Sequence, residues 1–278
     1  MVVSTRRVWL LIECADGIGR ALAQTVLQRS GDCLVCAVHD TESVSDLGDL
    51  PPDRFMAVRA DVTDCTSIAA AMEAAVARFG AVDIIVDCAG AELAGSIEQS
   101  QEKRVRDVFD VNFFGVLNVA QAVMPYLRRR GRGRLAAITS VNAFLGRQGC
   151  GVESASRAAA LTLLESLAAE ARPSGVHVTA IAAGPGHLGH AAERQFVAQS
   201  IIANLTLPEP PTYLVLGRDC MATVDEKLNV LSQLMLGTLR KVEEGARPVR
   251  GLADWSSSWP LEHLETAQAL LPEWIWLS

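Results

Sequence analysis

Side chains able to do chemistry cluster at a few places along this chain. Glu153 and Arg157 stand four residues apart where a helical stretch begins, so they share one face and can pair. A carboxylate in a pocket serves as a general acid or base, and a neighbouring guanidinium holds a carboxylate or stabilises developing negative charge. His187 and His190 follow Pro185-Gly186 at a pocket mouth, three apart, with no third ligand at suggestive spacing. No metal is therefore expected. Cys33 and Cys36 have C-x-x-C spacing, but Leu34 and Val35 between them read as a buried strand, and residues three apart on a strand face opposite ways. The seven cysteines thus suggest neither a zinc site nor a disulfide scaffold, and reduced thiols fit the cytoplasm.

The elements that must position these groups alternate. Apolar runs at Val8–Ile12, Cys33–Val38, Phe55–Val58, Ile84–Val86, Leu135–Thr139, Val176–Ala182 and Tyr213–Leu216 read as strands. Amphipathic stretches at Ile18–Gln28, Thr66–Phe79, Val105–Arg130, Ser154–Arg172, Ala192–Leu205 and Thr223–Glu244 read as helices, with Pro125 a candidate kink. Alternation of this kind predicts an α/β fold: a doubly wound parallel sheet with helices on both faces. The loops after Ile12, Val86, Thr139 and Ala182 should then line one pocket at the carboxyl ends of the strands.

Composition narrows the class. Of 278 residues, 50% are hydrophobic and 21% charged, which is ordinary for a globular protein. The net charge of −7 argues against a nucleic-acid partner, and the run Arg128–Arg134 reads as a solvated loop. No apolar run reaches the ~18 residues of a membrane span, and Val8–Ile12 is too short for a signal peptide. Of 25 basic residues only Lys103, Lys227 and Lys241 are lysines, a bias that points to a GC-rich bacterial genome.

Gly17-Ile18-Gly19 follows the first strand, Asp61-Val62 the third and Ala89-Gly90 the fourth. Asn112 sits in Val-Asn-Phe-Phe-Gly, Ser140 ends the fifth strand, and Pro185-Gly186 follows the sixth. These motifs, in order from Val8 to Glu244, carry a resemblance to the short-chain dehydrogenases/reductases of the classical type. It implies a Rossmann-like fold and, where NAD(P) binds, contacts from Gly17, Ile18, Gly19, Asp61, Ala89, Gly90, Pro185 and Gly186. It also implies a catalytic serine at Ser140, a relay asparagine at Asn112, and a homodimer or homotetramer paired through Val105–Arg130 and Ser154–Arg172.

The departures from that pattern are substantial. Glu13 replaces a glycine of the phosphate turn, which adds bulk and like charge near a pyrophosphate. Asp87-Cys88 stands where the family has Asn-Asn, and His190 stands where a threonine contacts the nicotinamide amide. His39 and Asp40 occupy the place where a basic residue marks phosphate-bearing cofactors. Glu153 stands for the family's tyrosine and Arg157 for its lysine. A glutamic acid is about 6 pKa units more acidic than a tyrosine. One helix alone fills the interval between Gly186 and Tyr213, where relatives carry lid helices.

These departures lead to the expectation of a cofactor-independent, non-redox acid/base catalyst: a cyclase, isomerase, dehydratase or epoxide-opening enzyme acting on a small, biosynthetic organic substrate. Glu153, Ser140, Arg157 and Asn112 would be catalytic. Glu13, Asp87, Asn142, Gln148, His187 and His190 would line a pocket freed by loss of the cofactor. Two alternatives stay open: an NAD(P)-dependent oxidoreductase with atypical catalytic residues, and a non-catalytic protein retaining the fold. The chain is expected to be one domain: a core (1–186), a shortened substrate region (187–244) and a Trp-rich extension (245–278).

Overall fold

A computed structural model describes residues 6–29, 31–49, 53–184 and 190–245. The chain divides into two compact units, residues 1–227 and 228–278.

The first unit holds β1 (Val8–Ile12), α1 (Gly17–Gln28), β2 (Cys33–Val38), β3 (Phe55–Arg59), α2 (Cys65–Phe79) and β4 (Ile84–Asp87). It continues with α3 (Glu102–Phe109), α4 (Val116–Arg130), β5 (Gly133–Ser140), α5 (Gly151–Ala171), β6 (Val176–Ala183), α6 (Ala191–Leu205) and β7 (Tyr213–Leu216). The chain then enters α7 (Arg218–Gly245), whose stretch within the second unit exposes Leu228, Leu231, Leu234 and Met235.

The seven strands form one sheet in the order β3-β2-β1-β4-β5-β6-β7, every neighbouring pair parallel. This is the expected doubly wound architecture. β1 and β2 are buried at every position, because a parallel sheet covered on both faces needs apolar side chains pointing both ways. Val8, Leu10 and Ile12 pack with Val35, Ile85 and Leu135 against α2, α4 and α5. Trp9 and Leu11 pack with Leu34, Ile84 and Val86 against α1 and α6.

The helix expected from Val105 to Arg130 departs from regularity. Between α3 and α4 lies a π-helical turn, Asp110–Gly115. The departure thus falls at Asn112 and not at Pro125, which sits inside α4. Gly115 packs tightly against Val62, whose Cγ2 would lie 2.9 Å from an added Cβ. By length and composition Glu102–Arg130 could cross a membrane, while Val108, Val116, Val119, Val123 and Leu127 within it are buried inside the fold.

The strand order reverses between β1 and β4. β1 pairs with β2 on one side and with β4 on the other, so successive helices leave toward opposite faces there. The crevice this opens at the carboxyl ends is where such sheets bind ligands.

Candidate functional site

The turn after β1 sits at that crevice. Glu13 donates its backbone N–H to Ala37 O at 2.8 Å, which extends the β1–β2 ladder by one bond. It then takes a φ of 52°, the left-handed conformation that glycine adopts freely. Gly17 opens α1 with a φ of 55°. Gly19 has no room for a side chain: an added Cβ would lie 2.8 Å from Cys14 Cα and 3.1 Å from Cys88 Cβ. Asp16 caps α1 without a side-chain hydrogen bond, so that carboxylate does not occupy the helix N-terminus, where N–H groups favour an anion.

A cleft of about 310 Å³ opens beside this turn, lined by Glu13, Asp16, His39, Asp61, Cys88 and Gly90 among others. Asp61 accepts from Thr63 N at 2.9 Å and from Thr63 Oγ1 at 2.7 Å, and these bonds hold its carboxyl below the usual range. Burial pushes the Glu13 carboxyl up, partly offset by His39. Beneath the cleft Asp87 is 1% exposed. Its Oδ1 accepts from Ala89 N at 3.0 Å, while Oδ2 has no partner. Burial pushes Asp87 up to about 7; the Ala89 bond and Arg157 oppose this rise and Glu13 adds to it.

On the far side of the crevice, the π-helical turn presents Asn112 to the loop after β4. Asn112 Oδ1 accepts from Ala91 N at 2.8 Å, and its Nδ2 donates to Ala91 O and to Ser156 Oγ, each at 2.9 Å. Ser156 Oγ donates to Glu153 O at 2.9 Å. Arg157 Nε donates to Glu153 Oε1 at 3.0 Å, both side chains being mostly buried. The Arg157 guanidinium lies over Gly90, with Nη2 2.9 Å from where a Cβ would stand. Ser140 ends β5, and its Oγ accepts from Asn142 N at 3.2 Å.

The structure thus joins Asn112, Glu153 and Arg157 into one network with the loop after β4. Glu13, Asp61, Ala89 and Gly90 line the cleft, Asp87 lies beneath it, and Gly17, Ile18 and Gly19 form the start of α1 beside it. Asn142 is buried with Oδ1 unpartnered, while Gln148 and His190 are exposed. Pro185, Gly186 and His187 lie outside the described residues. His39 and Cys88, which stand at altered family positions directly after a strand's carboxyl end, also line the cleft.

Neither tyrosine substitutes for the one the family would place at 153. Tyr126 accepts from Val82 N, ahead of β4. Tyr213 bonds Glu165, which by residue count lies about 18 Å along α5 from Glu153. A larger cavity, about 540 Å³, lies on α3 between Val105, Phe109 and Phe114, away from the strand ends.

Residues 7–195 match the family described as short chain dehydrogenase. The chain belongs to that family. Human 17-beta-hydroxysteroid dehydrogenase type 1 is 34% identical over 66% of this chain and 57% of its own length, so the match spans little more than half of the human enzyme. A short-chain dehydrogenase from Streptomyces avermitilis superimposes with a TM-score of 0.79 at 29% identity, covering 87% of this chain and 99% of its own. A short-chain dehydrogenase/reductase from Burkholderia phymatum in complex with NAD shares the fold, with a TM-score of 0.72 at 22% identity over 83% of this chain and 97% of its own.

These findings correct two expectations. The chain belongs to an oxidoreductase family, and the human relative is named a dehydrogenase, so the non-redox catalyst is set aside. With it goes the expectation of no cofactor, since the fold is one that holds NAD in the Burkholderia protein. At the turn itself Glu13 keeps a glycine-like φ and lines a cleft of about 310 Å³ beside α1.

Proposed function

We propose that this short-chain dehydrogenase is a nicotinamide-dependent oxidoreductase that interconverts a small alcohol and its carbonyl compound. The observation that carries the proposal is the cleft at the sheet's switch point, with Gly17 and Gly19 opening α1 beside Asp61, Ala89 and Gly90. Gly19 lets α1 start close against the turn after β1, since a Cβ there would lie 2.8 Å from Cys14 Cα, and this sets the N-terminus of α1 beside the cleft.

The bound cofactor supplies hydride transfer. The N-terminus of α1 would hold its pyrophosphate through backbone N–H groups. Asp61 would take the adenine end, and Ala89 and Gly90 would line the cleft beside it. Arg157, stretched over Gly90, stands where it can reach the ribose hydroxyls while keeping Glu153 in place. Ser140 orients the substrate oxygen. Glu153 accepts the proton that leaves a substrate hydroxyl and returns it in the reverse direction. Asn112 fixes the loop after β4 to α5 through Ala91 and Ser156.

Family resemblance makes the working form a homodimer or homotetramer through the α4 and α5 faces. All seven cysteines are free thiols, which suits a reducing cytoplasm. Calorimetric titration with NADH and NADPH, followed by turnover of small secondary alcohols with NAD and NADP, tests the reading. Micromolar binding of one cofactor is expected. No binding of either up to millimolar concentration overturns it.

A further inference from the structure

Five carboxylates bear on the cofactor cleft and its network. Glu13 and Asp16 come from the turn after β1, Asp61 from the end of β3, Asp87 from the end of β4 and Glu153 from α5. The cations facing them are few. His39, at the end of β2, faces Glu13 and Asp61, and Arg157, on α5, faces Asp87 and is bonded to Glu153. Arg20 on α1 is taken by Asp46 and by Ser43 O at 2.9 Å. Asp40, beside His39, is exposed and accepts from Glu42 N. The other titratable neighbours are the Cys14 and Cys88 thiols, and burial pushes Cys88 up.

Within this group Asp87 is the one caught between opposing demands. It is 1% exposed, one oxygen is satisfied by Ala89 N–H and the other has no partner. A buried carboxylate oxygen without a donor is costly, whereas a carboxylic acid removes the charge. Glu13 opposes a charge on Asp87, and Arg157 favours one. A dinucleotide adds two phosphate charges at the N-terminus of α1, next to Glu13.

Resting on the cofactor reading above, we infer that dinucleotide binding takes up a proton from solvent and holds it on one of two carboxylates, Glu13 or Asp87. One carboxylate becomes a carboxylic acid, and no other bond changes. The two groups are suited to this exchange near neutrality: Asp87 titrates at about 7, and Glu13 is pushed up in the same direction. Glu13 thereby acts as a positioning residue that makes cofactor affinity depend on pH.

The test is calorimetric titration of the full chain with NADH and NADPH in buffers of different ionisation enthalpy, from about pH 6 to about pH 8.5. The slope of observed enthalpy against buffer enthalpy counts the protons. Net uptake approaching one proton is expected above pH 7, with Kd weakening by up to about tenfold per pH unit. In E13Q/D87N the uptake should vanish and Kd should become flat with pH. In H39Q it should persist, which separates the carboxylates from the histidine that lines the same cleft. If D87N fails to fold, E13Q alone should lower the count. Binding without proton uptake, uptake unchanged in E13Q, or uptake lost in H39Q overturns the inference and leaves the cofactor reading standing. Absence of binding at every pH overturns both.

Discussion

Arg157 reaches in two directions at once: its Nε donates to Glu153 Oε1 at 3.0 Å and its guanidinium covers Gly90. One side chain therefore ties the acid/base carboxylate on α5 to the backbone that faces the cofactor cleft. Glu153→Gln keeps the shape of that carboxylate and removes its proton-accepting power. Turnover should fall about 10²–10⁴-fold with cofactor affinity nearly unchanged, and stability should fall less than in Arg157→Ala because the amide oxygen can still accept from Arg157 Nε. Arg157→Ala is expected to behave differently, because it strands a mostly buried carboxylate and should destabilise the fold by about 3 kcal/mol. Comparing turnover, cofactor Kd and urea midpoints of the two variants separates the roles. Full activity in Glu153→Gln would remove Glu153 from the chemistry.

Asn112 supplies three hydrogen bonds from inside a π-helical turn, two to Ala91 and one to Ser156. Asn112→Ala leaves these groups to find other partners in a buried site. A loss of about 1–3 kcal/mol is expected, read as a lower urea midpoint with an unchanged m-value. Turnover should fall with it, because Ser156 anchors the backbone carbonyl of Glu153. A variant as stable as the wild type would show that water or a shifted loop replaces the amide.

Asp87 links stability to pH. Its carboxyl titrates near 7 when folded, against 3.8 as the ordinary value. Folding therefore favours the protonated form. The folded state loses stability relative to the unfolded chain as pH rises from about 4 through 7, by about 4 kcal/mol at the limit. Asp87→Asn presents a neutral group of the same shape and removes this slope. The variant should gain stability over the wild type at about pH 8 and show little gain at about pH 4, measured by denaturant titration at both. An equal difference at both values would mean that Asp87 ionises normally.

The elements were legible because their burial is simple. Cys33–Val38 is apolar throughout, and only a parallel strand covered on both faces needs such a run. The π-helical turn was not legible. Apolar spacing runs on through Val108, Val111, Val116 and Val119, and only the hydrogen-bond register changes. At the site, the Glu153–Arg157 pair followed from i, i+4 spacing, because both ends lie on one helix. The contact of Arg157 with Gly90 joins distant segments and has no local signature. Asp87 likewise gives no hint in sequence that one of its oxygens is buried without a partner. Residue type at Glu13 does not state φ, so the glycine-like backbone of the turn was not legible there. The non-redox expectation failed because similarity spread over residues 7–195 outweighs three altered motifs.

The turn after β1 offers a direct contrast between two glycines and the glutamate. An added Cβ at Gly17 meets nothing within 4 Å, so Gly17→Ala pays only for its φ of 55°, about 1 kcal/mol. At Gly19 the Cβ would lie 2.8 Å from the Cα of Cys14, which is backbone and cannot swing aside. Gly19→Ala must therefore move the turn itself, and cofactor affinity should fall more than in Gly17→Ala. Glu13→Gly goes the other way: it fits the left-handed φ without a Cβ and removes a carboxylate from the cleft. NADH or NADPH should bind it more tightly than the wild type, with the larger gain at higher pH, where the wild-type carboxylate is charged. Titrating all three variants under one condition ranks them. Should Glu13→Gly bind no better, the carboxylate lies clear of the phosphates.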